Sequence, residues 1–152
     1  MYRIISWVAV ILWAVLIFSL SHQPVVQSSQ LSVGITEVIV KSFEKVTPNE
    51  GFDIGSLNDI VRTNAHFFTY LVLGILMINT LRKSGVHGFQ SLGMALLICV
   101  LYAVSDEVHQ IFVPGRDAEV KDVLIDSAGA SVGVLMYLVI SRLMKKEMPT
   151  EL

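Results

Sequence analysis

The sequence has one cysteine, Cys99, inside an apolar run, so an internal disulfide and a thiolate-rich metal cluster are both excluded. It has no Lys/Arg-rich stretch and carries a formal net charge of −2, which argues against a nucleic-acid partner. Ser105 lies beside Asp106 without a G-x-S-x-G elbow, so a serine nucleophile would rest on adjacency alone. Charged residues make up only 16% of the chain, against roughly 25% in soluble domains. Hydrophobic residues make up 53%, and the mean hydropathy is +0.65. This composition excludes a soluble hydrolase and predicts life in a bilayer.

Crossing about 30 Å of hydrocarbon takes roughly 20 apolar residues at 1.5 Å each. Four stretches come close, at Ile4 to Leu20, His66 to Leu81, Leu92 to Val104 and Val123 to Ser141. The third is short, but its helix can continue through Ser105 to Ile111. The first could be a secretory signal with Ser19 and Ser21 at its cleavage site, but it is longer than an h-region of about 7–15 residues and carries Trp7 and Trp13, which favours an uncleaved helix. The expected fold is therefore all-α: one domain over residues 1–152, a polytopic membrane protein with four transmembrane helices. The helix leading into the second span is expected to start at Ser56, where Ser56 and Asp59 have capping-box spacing.

Arg3, Arg82, Lys83, Arg142, Lys145 and Lys146 fall on one side, which the positive-inside bias makes cytoplasmic. Both termini are then inside a bacterial cytoplasmic membrane, and loops 21–64 and 105–121 face outward. In the first of these, Leu31, Ile35, Val38, Ile39, Phe43 and Val46 share one helical face opposite Glu37, Lys41 and Glu44. An amphipathic helix on the outer surface is expected there, ending at the turn formers Thr47 to Gly51.

Polar groups gather at the outer ends of the spans. Arg62, His66, Tyr70 and Gly74 recur every fourth residue and make one ridge. Tyr102, Asp106, His109 and Gln110 share a face of the next helix, so Asp106 can orient His109 or both can hold one cation, while Glu107 points about a hundred degrees away. Pro114-Gly115 signals a turn that would return Arg116 over the bundle. Asp122 fits a helix N-cap, with Asp126 one turn deeper and Gly129 and Gly133 below in a small-xxx-small pair. Ser21, His22 and Gln23 reach the same level from the first span.

Each group has a plainer reading as well. Arg62 and Arg116 can bind lipid headgroups, Glu119 and Lys121 can be solvated loop charges, and Tyr70 and Tyr102 can be interior or interfacial aromatics. His66, Asp106, Glu107, His109 and Asp126 resist that reading, because ionisable groups in or beside spans are costly unless paired or used.

These residues resemble the VanZ-like family of small membrane proteins, named for a teicoplanin-resistance protein. The matching pieces are Ser21-His22-Gln23-Pro24, Arg62 through His66 and Tyr70 to Gly74, Asp106-Glu107-Val108-His109-Gln110, Val113-Pro114-Gly115-Arg116, and Asp122 through Asp126 to Gly133. They run in the family's order over most of the chain. Where this chain has Asp126 the family often has Asn. The resemblance implies an integral protein of the bacterial envelope, associated in some members with glycopeptide resistance, and implies no settled reaction.

Two functions of different class are expected. In the first, an outer-leaflet site binds or processes a phosphate-bearing envelope lipid, including a lipid-linked envelope intermediate. His66, Asp106, Glu107 and His109 are then the acid, base or orienting groups, and a hydrolase or transferase is the enzymatic form. Arg62, Tyr70, Tyr102, Gln110, Arg116, Asp122 and Asp126 are the substrate-binding set, with Arg suited to bidentate contacts on phosphate oxygens. A divalent cation held by carboxylates among Asp106, Glu107, Asp122 and Asp126 would bridge phosphate to protein. In the second, the polar cluster is structural glue in a non-catalytic protein that shields a lipid target or assembles with itself or a larger membrane partner.

Overall fold

The computed structural model describes residues 2–22, 54–114 and 118–147, with side chains over 2–22, 60–114 and 118–144. Four helices span the described residues: α1 (Tyr2–Ser21), α2 (Ile54–Lys83), α3 (Gly88–Gln110) and α4 (Val120–Glu147). Each contains a segment long and apolar enough to cross a membrane, at Tyr2–Ser21, Ile60–Lys83, Gly88–Gln110 and Val120–Met144. The protein is an all-α membrane protein with four spanning helices. The expected surface helix at residues 31–46 and the returning Arg116 lie outside the described residues.

The helices run past the boundaries that hydropathy suggests. α3 continues unbroken from Val104 to Gln110, because Asp106, Glu107 and Gln110 turn inward and are buried. α2 starts at Ile54, so Ser56 lies inside it. α4 starts at Val120, and Asp122 sits in its first turn with its amide on the Glu119 carbonyl at 2.9 Å, so it is not the N-cap. Part of the capping comes from another helix: the Glu107 carboxylate accepts the Glu119 amide at 2.9 Å, which leaves the Asp122 side chain free to face Arg62.

α2 is the central helix, packed against α1, α3 and most closely α4. Lipid removes the hydrophobic drive between spanning helices, so close van der Waals fit must hold them together. α2 and α4 achieve it with glycine. A methyl group added at Gly129 would collide with the Phe67 carbonyl, one at Gly133 with the Leu71 carbonyl, and one at Gly74 with the backbone of Ala130. The core around this seam holds Tyr70, Leu73, Met77 and Ile78 of α2 against Ala130 and Val134 of α4. Ala95, Cys99 and Ala103 form a small-residue stripe on α3.

α2 ends in a tight turn. Gly85, at φ +96°, takes the left-handed position, and the Val86 amide reaches back to the Leu81 carbonyl at 3.0 Å. The start of α1 docks there: the Arg3 guanidinium donates to the Ser84 carbonyl at 2.9 Å and the Trp7 indole to its hydroxyl at 3.2 Å. Midway along, the Trp13 indole donates to the Thr69 carbonyl at 2.9 Å. α1 and α3 therefore run opposite to α2 and α4. Ser21, Gln110, Arg62 and Asp122 all meet at one end.

Candidate functional site

The glycine seam brings the polar ridge of α2 beside α4. His66 precedes Phe67, which Gly129 contacts, and Asp126 lies three residues before Gly129. The result is a close pair: His66 Nδ1 is 3.3 Å from Asp126 Oδ1. One turn nearer the end, an Arg62 nitrogen is 3.8 Å from Asp122 Oδ2. That outer pair is partly solvated and loosely spaced, so it contributes little to stability.

Asp126 is fully buried and Asp106 is 2% exposed. Asp106, from α3, completes a cluster in which one ligand atom each of His66, Asp106 and Asp126 lies within 4.8 Å of the others. Asp106 Oδ2 accepts a 2.6 Å hydrogen bond from Ser21 Oγ, and Gln110 Nε2 donates to the same Ser21 oxygen at 3.1 Å. Among the described residues, Asp106 Oδ1 and both oxygens of Asp126 have no hydrogen-bond partner. The His66 contact is within ion-pair reach of Asp126 Oδ1 but lacks hydrogen-bond geometry, so the carboxylate remains unsatisfied. Buried carboxylates normally have partners. This cluster of a histidine and two aspartates is able to coordinate a metal ion.

A pocket of about 130 Å³ lies above it, lined by Arg62, Thr63, His66, Glu119, Lys121 and Asp122. His66 is the shared wall. A larger cavity of about 520 Å³ sits at the opposite end among Arg82, Lys83, His87 and Tyr137, away from the carboxylates.

The other expected site residues take separate places. His109 Nε2 is 3.1 Å from His22 Nδ1, and its ring packs on Phe18 at 4.4 Å between centroids. That position differs from the expected pairing with Asp106, which Ser21 holds instead. Glu107 is buried and turned toward the α4 start, with Oε1 unpartnered. Tyr102 donates to the Ala14 carbonyl at 2.6 Å and ties α3 to α1. Tyr70 is fully buried one turn below His66, and its hydroxyl is unpartnered. Ser21 and Thr63 were not singled out from sequence as site residues; Ser21 carried a signal, as a hydroxyl ending the first span at the level of the other polar groups.

These features define a class: a four-helix membrane protein with an ionisable cluster buried at one end of the bundle. The chain belongs to the VanZ/LLP1 family, whose model matches residues 6–141. It is thus a VanZ-like membrane protein of the bacterial envelope. No curated protein and no solved structure matches it.

Proposed function

We propose that this end of the bundle faces the outer leaflet and binds the phosphate of an envelope lipid. One observation carries the reading: a small pocket with Arg62, Lys121 and His66 in its walls, alongside Glu119 and Asp122, opens beside buried carboxylates that have no partner among the described residues. Arg62 and Lys121 supply positive charge for phosphate oxygens, and Arg can engage two of them at once. A divalent cation on the carboxylates would let them contribute to binding an anion that they would otherwise repel. The outward orientation draws support from Arg3, Arg82, Lys83 and Arg142, which all lie toward the opposite end. A hydrolase or transferase is the extended form of this reading, with His66, Glu107 or His109 as acid or base.

The test is binding in lipid nanodiscs. A polyprenyl phosphate should bind more tightly than a neutral polyprenol, and Arg62→Ala should weaken it by about tenfold, the loss of one charge-assisted contact. Equal affinity for phosphate and alcohol would end the proposal. Release of inorganic phosphate or transfer of the group in the same nanodiscs would make the protein an enzyme. The association with glycopeptide resistance is tested by teicoplanin susceptibility on expression in a sensitive strain.

A second reading, structural glue in a non-catalytic protein, is favoured by the Ser21–Asp106–Gln110 and Glu107–Glu119 bonds, which link separate segments. Under it, variants at these positions lower stability and no lipid phosphate binds. Co-purification at a fixed stoichiometry would identify the self-association or larger partner this reading allows.

A further inference from the structure

We propose that His66, Asp106 and Asp126 hold one divalent transition-metal ion between α2, α3 and α4, at the floor of the Arg62 pocket. This deepens the lipid-phosphate reading by naming the cofactor of the same site, and it rests on that reading only for the ion's role.

The donors come from three helices and converge within 4.8 Å. They are also prepared as ligands. Asp106 is fixed through Oδ2 by Ser21, which Gln110 holds in turn, while Oδ1 remains free. Outer partners of this kind orient metal-binding carboxylates. Asp126, fully buried, has no hydrogen-bond partner for either oxygen among the described residues.

The spacing of His66 and Asp126 fits two ligands of one ion as well as an ion pair. Charge-assisted N–H···O contacts close to about 2.7–2.9 Å. Here the atoms stand 3.3 Å apart without hydrogen-bond geometry. Two donors each about 2.1 Å from one tetrahedral ion lie about 3.4 Å from one another. The His66–Asp126 separation matches one edge of such a tetrahedron, and the cluster, whose donors lie within 4.8 Å of one another, closes in around the ion to complete it.

Charge points the same way. In their ionised form, two carboxylates beside a neutral imidazole carry two negative charges, and the Arg62 guanidinium is placed against Asp122 instead. A dication balances the cluster. Its class follows from the nitrogen donor: imidazole suits zinc, copper, iron or nickel, whereas magnesium, calcium and manganese favour oxygen. Three protein donors leave a tetrahedral ion one open position, and His66 borders the pocket through which a phosphate oxygen would reach it. With the ion bound, His66 is a ligand through Nδ1 and is not the acid or base.

The experiment uses the full chain in nanodiscs, stripped with chelator and titrated with Zn²⁺, Mn²⁺, Co²⁺, Mg²⁺ and Ca²⁺ by calorimetry and elemental analysis. One Zn²⁺ per chain is expected, together with a Co²⁺ absorption spectrum of nitrogen and oxygen coordination. Asp126→Asn and His66→Gln should each weaken binding by about tenfold or more, and His87→Gln, at the far end, should leave it unchanged. No stoichiometric transition-metal binding by the native protein would overturn the proposal. So would native affinity in Asp126→Asn, or loss of binding in His109→Gln with retention in His66→Gln, which would move the ion to the His22–His109 pair. If either ligand variant fails to fold, the native Co²⁺ spectrum decides: absence of a nitrogen-coordinated band overturns the site. Metal binding is measured in nanodiscs that contain no polyprenyl phosphate, so its failure and the failure of phosphate binding are distinguishable.

Discussion

Gly129 of α4 lies directly against the carbonyl of Phe67 on α2, with no room between them for a methyl group. This contact fixes how close His66 and Asp126 come. Gly129→Leu is expected to cost about 1–3 kcal/mol through overpacking and to abolish metal and phosphate binding together. Gly93 on α3 faces open space, so Gly93→Ala should keep stability or raise it slightly. Thermal melting of both variants in detergent checks the contrast.

Ser21→Ala removes the hydroxyl that bonds both Asp106 and Gln110. Leaving those buried groups unpaired should cost about 1–3 kcal/mol. A thermal or chemical unfolding midpoint equal to that of the native protein would show that this link between α1 and α3 does not stabilise the bundle.

Glu107→Ala should free the Glu119 amide and fray the start of α4, a loss of about 1–2 kcal/mol for a helix-capping contact. Glu107→Gln retains a carbonyl oxygen and should retain most of that stability. Hydrogen exchange at the Glu119 amide separates the two: fast in the alanine variant, slow in the glutamine.

The lone thiol, Cys99, is fully buried and should resist maleimide until the protein is unfolded. In a Cys99→Ala background, Glu119→Cys should react with a membrane-impermeant maleimide in intact cells, whereas Phe89→Cys should react only after permeabilisation. Both native residues are exposed, so access is decided by the side of the membrane. The reverse pattern would invert the proposed orientation.

Much of this end of the molecule is legible in the sequence, because helical periodicity determines which residues share a face. Arg62, His66, Tyr70 and Gly74 fall on one ridge by spacing alone, and all four face α4, the pocket or the core in the fold. Periodicity does not determine how helices are rotated or slid against one another. The approach of Asp106 to Asp126 and the reach of Ser21 to Asp106 are products of that register. His109 illustrates the limit: its spacing from Asp106 permits a contact along one helix, yet packing on Phe18 and the bond to His22 take it to α1. The starts of α2 and α4 were misplaced, whereas the run of α3 past Val104 was expected. Hydropathy stops where charge begins, but a charged side chain turned into the bundle lets the backbone continue as helix, as α3 does through Glu107.

α1 has 20 residues and is extensively exposed along its length, and its final side chain grips Asp106 at 2.6 Å. A bilayer thinner than a helix's apolar length is accommodated by tilt. For α1 such a tilt pulls on a hydroxyl tethered to a buried carboxylate, so membrane thickness reaches the ionisable cluster as a mechanical force.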